Sequence, residues 1–175
     1  MQHNLIMKKL MKKIFTDLNQ AVELENLQRL NDGTLTIPKS EVLVYGQMSL
    51  MLNEPVATFL NLIQTADMDA QLRMDYFTKN KLLDLLKANG LIYDEESHLV
   101  WVPKDAKTID LFRLKNIDVK LLDAESVLVS KAIHAPNKNK QLIRQAIASG
   151  KFPTIVDRII KNNGSLEFFL EDDIE

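Results

Sequence analysis

The residues best suited to chemistry in this chain are carboxylates. Asp67 and Asp69 flank Met68 in a stretch, Asp67 to Met74, where acidic or polar residues alternate with apolar ones. That alternation predicts a strand, and side chains alternate along a strand, so both carboxylates point to one face. Two carboxylates on one face repel unless a cation neutralises them. Mg²⁺ takes hard oxygen ligands, and one or two carboxylates plus substrate phosphates are its usual site. Paired ions of this kind clamp the attacking and leaving oxygens in phosphoryl chemistry. Asp110, within Thr108-Ile109-Asp110-Leu111-Phe112, lies in a second strand candidate and completes a three-carboxylate cluster if the two strands pair nearby. Asp supplies 14 of the 175 residues, so about one such spacing arises by chance. A solvated strand face is the plain alternative for all three.

A second feature is Val42-Leu43-Val44-Tyr45-Gly46, a β-branched and aromatic run that ends in glycine and reads as a buried strand. A short helix is expected after it, from Gln47 to Asn53, with Pro55 just beyond. Glycine lets the backbone approach a phosphate, and a helix N-terminus favours an anion. By itself this unit is unspecific, because strands commonly end in glycine.

These groups need elements to position them. A helix is expected from residue 4 to about 30, with Leu5, Leu10, Ile14, Leu18, Val22 and Leu24 spaced along it and Asn31-Asp32-Gly33 as its stop. Thr78 is the expected N-cap of a helix over Lys79 to Ala88, closed by Asn89-Gly90. Leu91–Asp94, Leu99–Val102, Thr108–Phe112 and Val119–Leu122 are strand candidates. From Asp123, a cap, the pattern is helical. One helix ends at Pro136, a second covers 138–148 before Gly150, a third covers 153–162 before Asn163-Gly164, and a last turn falls in 165–171. The parts group as an N-terminal helix (1–34), a sheet core (35–122) and a C-terminal helical segment (123–175) with an acidic tail.

Composition narrows the classes. There are no cysteines, so a disulfide framework, a cysteine zinc site and a thiol nucleophile are excluded, and a reducing, cytoplasmic setting is expected. No apolar run approaches the ~18 residues of a membrane span, and no membrane partner is expected. The net charge of −2 conceals segregation: residues 1–15 carry +4, 16–135 carry −6, 136–161 carry +5 and 162–175 carry −5. The basic helices at 138–161 could meet phosphate or RNA, although a solvated helical face has the same pattern.

Taken together, these parts resemble the nucleotidyltransferase superfamily, and within it the small stand-alone bacterial branch of toxin–antitoxin and abortive-infection type. The resemblance runs from about Val42 to Ala148. It rests on the strand ending in Gly46, Thr65-Ala66-Asp67-Met68-Asp69 on a second strand, the helix closed by Gly90, the Thr108–Phe112 strand and Ser130-Lys131 in a later helix. It implies an α/β (α+β) fold with a small mixed sheet flanked by helices, and Mg²⁺-dependent (or Mn²⁺-dependent) transfer of a nucleotide from an NTP to a hydroxyl of RNA, protein or a small molecule. It further implies Asp67, Asp69 and Asp110 as metal-binding and catalytic carboxylates. Gly46, Gln47, Ser49 and Lys131 would be the phosphate-side residues. The chain departs from the family pattern in several places. Gln47 follows Gly46 where Gly or Ser is usual, no Arg precedes Asp67, and Asn137-Lys138-Asn139-Lys140 stands where a Lys-Asp pair is usual. These departures motivate an alternative, a catalytically degenerate member that serves as a binding or regulatory module.

The remaining chemistry-bearing residues are isolated. His3, His98 and His134 have no metal-ligand spacing, and Trp101 reads as a core or half-buried residue.

Overall fold

A computed structural model of the chain describes residues 2–171, with side chains from residue 5 onward. His3's side chain and the tail residues 172–175 therefore lie outside the described set. The fold is α+β, a mixed four-stranded sheet flanked by helices.

Helix α1 (Gln2–Asn31) opens the chain. Its buried face is Met11, Ile14, Phe15, Leu18 and Val22, a three- and four-residue spacing that forms one stripe. The sequence placed Leu5 and Leu24 on that stripe; both are exposed, and Met11 and Phe15 take the inward positions. Polar side chains fix the far half of α1 to the core. Asn116 donates its backbone N–H to Asn19 Oδ1 at 2.9 Å, and Ile37 donates its own to Asn26 Oδ1 at 2.6 Å.

Strand β1 (Ser40–Val44) lies inside the sheet. Helix α2 (Gly46–Leu52) and the single turn α3 (Glu54–Ala57) follow. The expected strand from Asp67 is two pieces, β2 (Asp67–Met68) and β3 (Ala70–Arg73), interrupted at Asp69. Helix α4 (Tyr76–Ala88) begins one turn earlier than expected. Asp75 is its cap, accepting from the backbone N–H of Thr78 at 2.9 Å, so Thr78 lies inside the helix. Strand β4 (Ile92–Tyr93) pairs parallel to β2. Leu99–Val102 is not a strand. A 3-10 turn (Glu95–Leu99) runs into it, and the Trp101 carbonyl accepts from the Ser130 hydroxyl at 2.5 Å, so this segment packs on a helix rather than on a strand.

Strands β5 (Thr108–Arg113) and β6 (Ile117–Leu122) complete the main sheet, whose order is β3-β1-β6-β5. β1 runs antiparallel to β3 and parallel to β6, and β5 runs antiparallel to β6. Four helices finish the chain: α5 (Ala124–His134), α6 (Pro136–Ser149), α7 (Ile155–Lys161) and α8 (Leu166–Leu170). Pro136 opens α6 rather than merely ending α5, which suits a residue with fixed φ and no N–H to satisfy. No helix among the described residues is long and apolar enough to cross a membrane.

Two apolar cores result. One sheet face, with Val42, Val44, Val119 and Leu121, packs on α1 and α4. The second core joins Tyr45, Leu50 and Leu122 to α5, α6, α7 and Phe169. Helix α2 lies between them: Met48 and Leu52 enter the first core and Leu50 the second.

Candidate functional site

The site forms where β1 ends. Tyr45 donates its backbone N–H to the Asp69 carbonyl at 2.9 Å, which ties the end of β1 to the break between β2 and β3. The chain then turns at Gly46 with φ +64°. A Cβ at this position would lie 2.1 Å from Asp69 Oδ2. The Asp69 carboxylate thus occupies the space a side chain would fill, and both the backbone angle and the contact demand glycine.

Burial of Met68 and Ala70 on either side fixes the alternation. Both point into the first core, so Asp67 and Asp69 point away from it, as the spacing predicts. Asp69 is half-buried and Asp67 exposed. Asp94, just after β4, is brought beside them: its N–H donates to the Met68 carbonyl at 3.1 Å. The Asp94 carboxyl is also near enough for its charge to act on Asp69. Its Oδ1 is engaged as well, accepting from the Glu96 N–H at 2.8 Å to cap the 3-10 turn.

Lys131 enters from α5. Asp123 caps that helix, accepting from the Ser126 N–H at 3.0 Å, and it also accepts from the Lys107 N–H at 2.8 Å, which clamps the helix start to the strand β5 approach. The Lys131 ammonium donates to Asn139 Oδ1 at 3.5 Å.

Electrostatics couple these groups. Burial pushes the Asp69 carboxyl above the usual carboxylate range, the neighbouring Asp94 adds to this, and Lys131 opposes it. The Asp67 charge raises it further. Burial lowers the Lys131 ammonium, the Asp69 charge opposes that, and Lys138 adds to the lowering. Burial is also the main reason that Tyr45, whose hydroxyl donates to the Ser97 carbonyl at 2.6 Å, is pushed up to about 12.

Two cavities open onto this cluster and share Lys131, Lys138 and Asn139 as walls. The smaller, about 140 Å³, includes Gly46 and Asp69. The larger, about 420 Å³, includes Gln47 and Thr65.

Of the residues singled out from sequence, Gly46, Gln47, Asp67, Asp69 and Lys131 come together. Ser49 and Asp110 do not. Ser49 is fully buried and donates its hydroxyl to the Leu122 carbonyl at 2.8 Å, so it holds α2 to the sheet instead of facing a phosphate. Asp110 is on β5, the edge opposite β3, with β1 and β6 between. Strands are spaced ~4.8 Å apart, which separates the two edges by roughly 14 Å. Asp110 is ion-paired with Arg113 of its own strand. The expected three-carboxylate convergence is therefore corrected: Asp110 is not part of the cluster, and the carboxylate that joins Asp69 is Asp94. The sequence carried one signal for Asp94, its position at the end of a strand candidate.

The fit of a divalent cation follows from these donors. The half-buried Asp69 and the exposed Asp67 are two hard carboxylates whose charges interact, and burial with neighbouring negative charge raises the Asp69 carboxyl, which suits one ion completed by phosphate oxygens. A site made wholly by the protein does not fit: among the described residues, no three His, Asp or Glu side chains are grouped to hold a metal.

Comparison with protein-family models, with curated proteins and with solved structures gives no match.

Proposed function

We propose that the cleft between the Gly46 turn and α5 binds the triphosphate of a nucleotide with a divalent cation, and that the chain transfers the nucleotide to a hydroxyl: the hydroxyl oxygen bonds the α-phosphorus and gives up its proton to solvent, the α–β phosphoanhydride breaks, and pyrophosphate leaves. The observation that carries this reading is the Asp69 carboxylate seated on Gly46, beside Asp67 and opposite Lys131. The Asp69 carboxylate, for a cation, and Lys131, for phosphate, thus border one cavity.

Asp67 and Asp69 are the residues that would hold Mg²⁺ (or Mn²⁺). When bound, that ion neutralises the triphosphate and lowers the pKa of the attacking hydroxyl. Lys131 and Lys138 supply positive charge on the opposite wall. The desolvated Lys131 ammonium interacts more strongly with a phosphate than a hydrated one would, because the local dielectric is low. The neighbouring Asp94 adds negative charge beside Asp69, which a bound cation would offset. The Gly46 turn lines the same cavity. Holding donor and acceptor in line accounts for much of the rate enhancement in transfers of this kind.

A second reading is favoured by one observation. Asp110 stands at the far sheet edge and leaves the cluster without its expected third ligand. A nucleotide-binding module without transfer activity needs only the two carboxylates and the lysines.

The test is nucleotide binding and turnover with Mg²⁺, wild type against Asp67→Ala. The expected result is Mg²⁺-dependent binding in the wild type and its loss in the variant, with transfer read by mass spectrometry of RNA, protein and small hydroxyl acceptors. Equal Mg²⁺-dependent binding in both proteins removes the metal assignment. Binding without transfer to any acceptor selects the second reading.

A further inference from the structure

The larger cavity has a composition that a triphosphate site does not require. No carboxylate lines it, and its two lysines, Lys131 and Lys138, are those it shares with the smaller cavity. Beyond them the wall is rich in carboxamides: Gln47, Asn61, Gln64, Asn139, Gln141 and Gln145. Three of these are committed within the protein. Gln47 donates to the Ile63 carbonyl at 2.9 Å, Asn139 donates to the Ala135 carbonyl at 2.8 Å, and Gln145 Oε1 accepts from the Asn61 N–H at 3.2 Å. The Gln47 and Gln145 bonds tie the 61–65 loop to α2 and α6 and so shape the cavity. Gln64 and Gln141 are exposed at its wall. Ile63, 81% exposed, and Leu142 give it apolar surface.

We infer that this cavity takes the base of the bound nucleotide, and that Gln64 and Gln141 read an adenine edge. A carboxamide presents one donor and one acceptor side by side. Adenine presents the complementary amino donor and ring-nitrogen acceptor, the pairing through which Asn and Gln select adenine in nucleic acids. Guanine is read best by Arg or Lys at its O6 and N7; the cavity has no arginine, and its lysines are at the phosphate end. Ile63 and Leu142 offer apolar contact to the ring faces. At about 420 Å³ the cavity falls in the range of small-molecule pockets. The inference rests on the triphosphate reading above and adds the base to it.

The experiment is calorimetric titration of the full chain, with Mg²⁺, by ATP, GTP, CTP, UTP and inorganic tripolyphosphate. ATP is expected to bind at least tenfold more tightly than GTP and than tripolyphosphate. The double variant Gln64→Leu/Gln141→Leu is expected to lose the preference for ATP over GTP while keeping its affinity for tripolyphosphate. Equal affinity for all four nucleotides and for tripolyphosphate overturns the base site and leaves the triphosphate reading standing. Discrimination that survives in the double variant overturns the assignment to these two residues. Absence of binding by every probe, tripolyphosphate included, overturns the triphosphate reading itself.

Discussion

Substituting Gly46 by alanine separates two contributions that the structure superimposes. The residue has φ +64°, and its added Cβ would meet Asp69 Oδ2 at 2.1 Å and Asp69 Cγ at 3.0 Å. Placing an L-residue in the left-handed region costs about 1–2 kcal/mol. The severe clash is with the far end of one side chain, which can swing aside, and Asp69 Cβ at 3.2 Å has to give only by a few tenths of an ångström, so the fold survives. In a chain of this size each kcal/mol lowers Tm by roughly 2–4 °C, so Gly46→Ala should lose about 2–8 °C. Gly150 supplies the control. It has the same φ, +64°, at the end of α6, and nothing lies within 4 Å of its added Cβ. Gly150→Ala measures the backbone cost alone. The two variants should unfold at similar temperatures by calorimetry, yet only Gly46→Ala should lose Mg²⁺-dependent nucleotide binding, by tenfold or more. Wild-type affinity in Gly46→Ala would refute the argument that the seat of Asp69 on this glycine builds the site.

Four further outcomes follow from the structure. Asp69 keeps its proton to higher pH when folded than when unfolded, so between those two pKa values the folded state binds more protons and stability falls as pH rises. Asp69→Asn should flatten that slope in urea unfolding from pH 4 to 8 and raise the stability of the metal-free protein at pH 7, while removing any stabilisation by Mg²⁺ and nucleotide. Ser49→Ala strands the buried Leu122 carbonyl, which costs about 1–3 kcal/mol in denaturant unfolding, with nucleotide affinity of the variant unchanged. Asp110→Ala should leave Mg²⁺ and nucleotide affinity at the wild-type value, whereas Lys131→Met should weaken nucleotide binding by tenfold or more in the same titration.

The local elements were largely legible in the sequence, and the site only in part. Strand β1 and the glycine that ends it could be read because a β-branched run and its stop are adjacent. The pattern at Asp123 likewise gave both the cap and the helix it starts. Asp67 and Asp69 shared a face as alternation requires, although the strand breaks between two sheets at the second of them. What eluded the sequence depends on strand order. Nothing in residues 108–113 states that β5 pairs with β6 alone and lies at the edge opposite β3. Nor does anything in residues 91–94 state that β4 pairs with β2 and delivers Asp94 to Asp69. Such neighbours are chosen by packing between segments distant in the chain. Ser49 misled for a related reason: a hydroxyl near a glycine suits a phosphate loop, but one buried helix face turned it toward Leu122.

The helix between the two cores has a thermal consequence. Asp69 is anchored beside Met68 and Ala70 of the first core, while Lys131 is carried by α5, whose buried face belongs to the second. The cavity is therefore a seam, and proteins open along seams in cooperative blocks before they unfold as a whole. Amide exchange should show α5–α8 opening as one block, at a lower free energy than β1 and β6. Ligand binding will then fail below the melting temperature, when the seam loosens and the sheet is still intact.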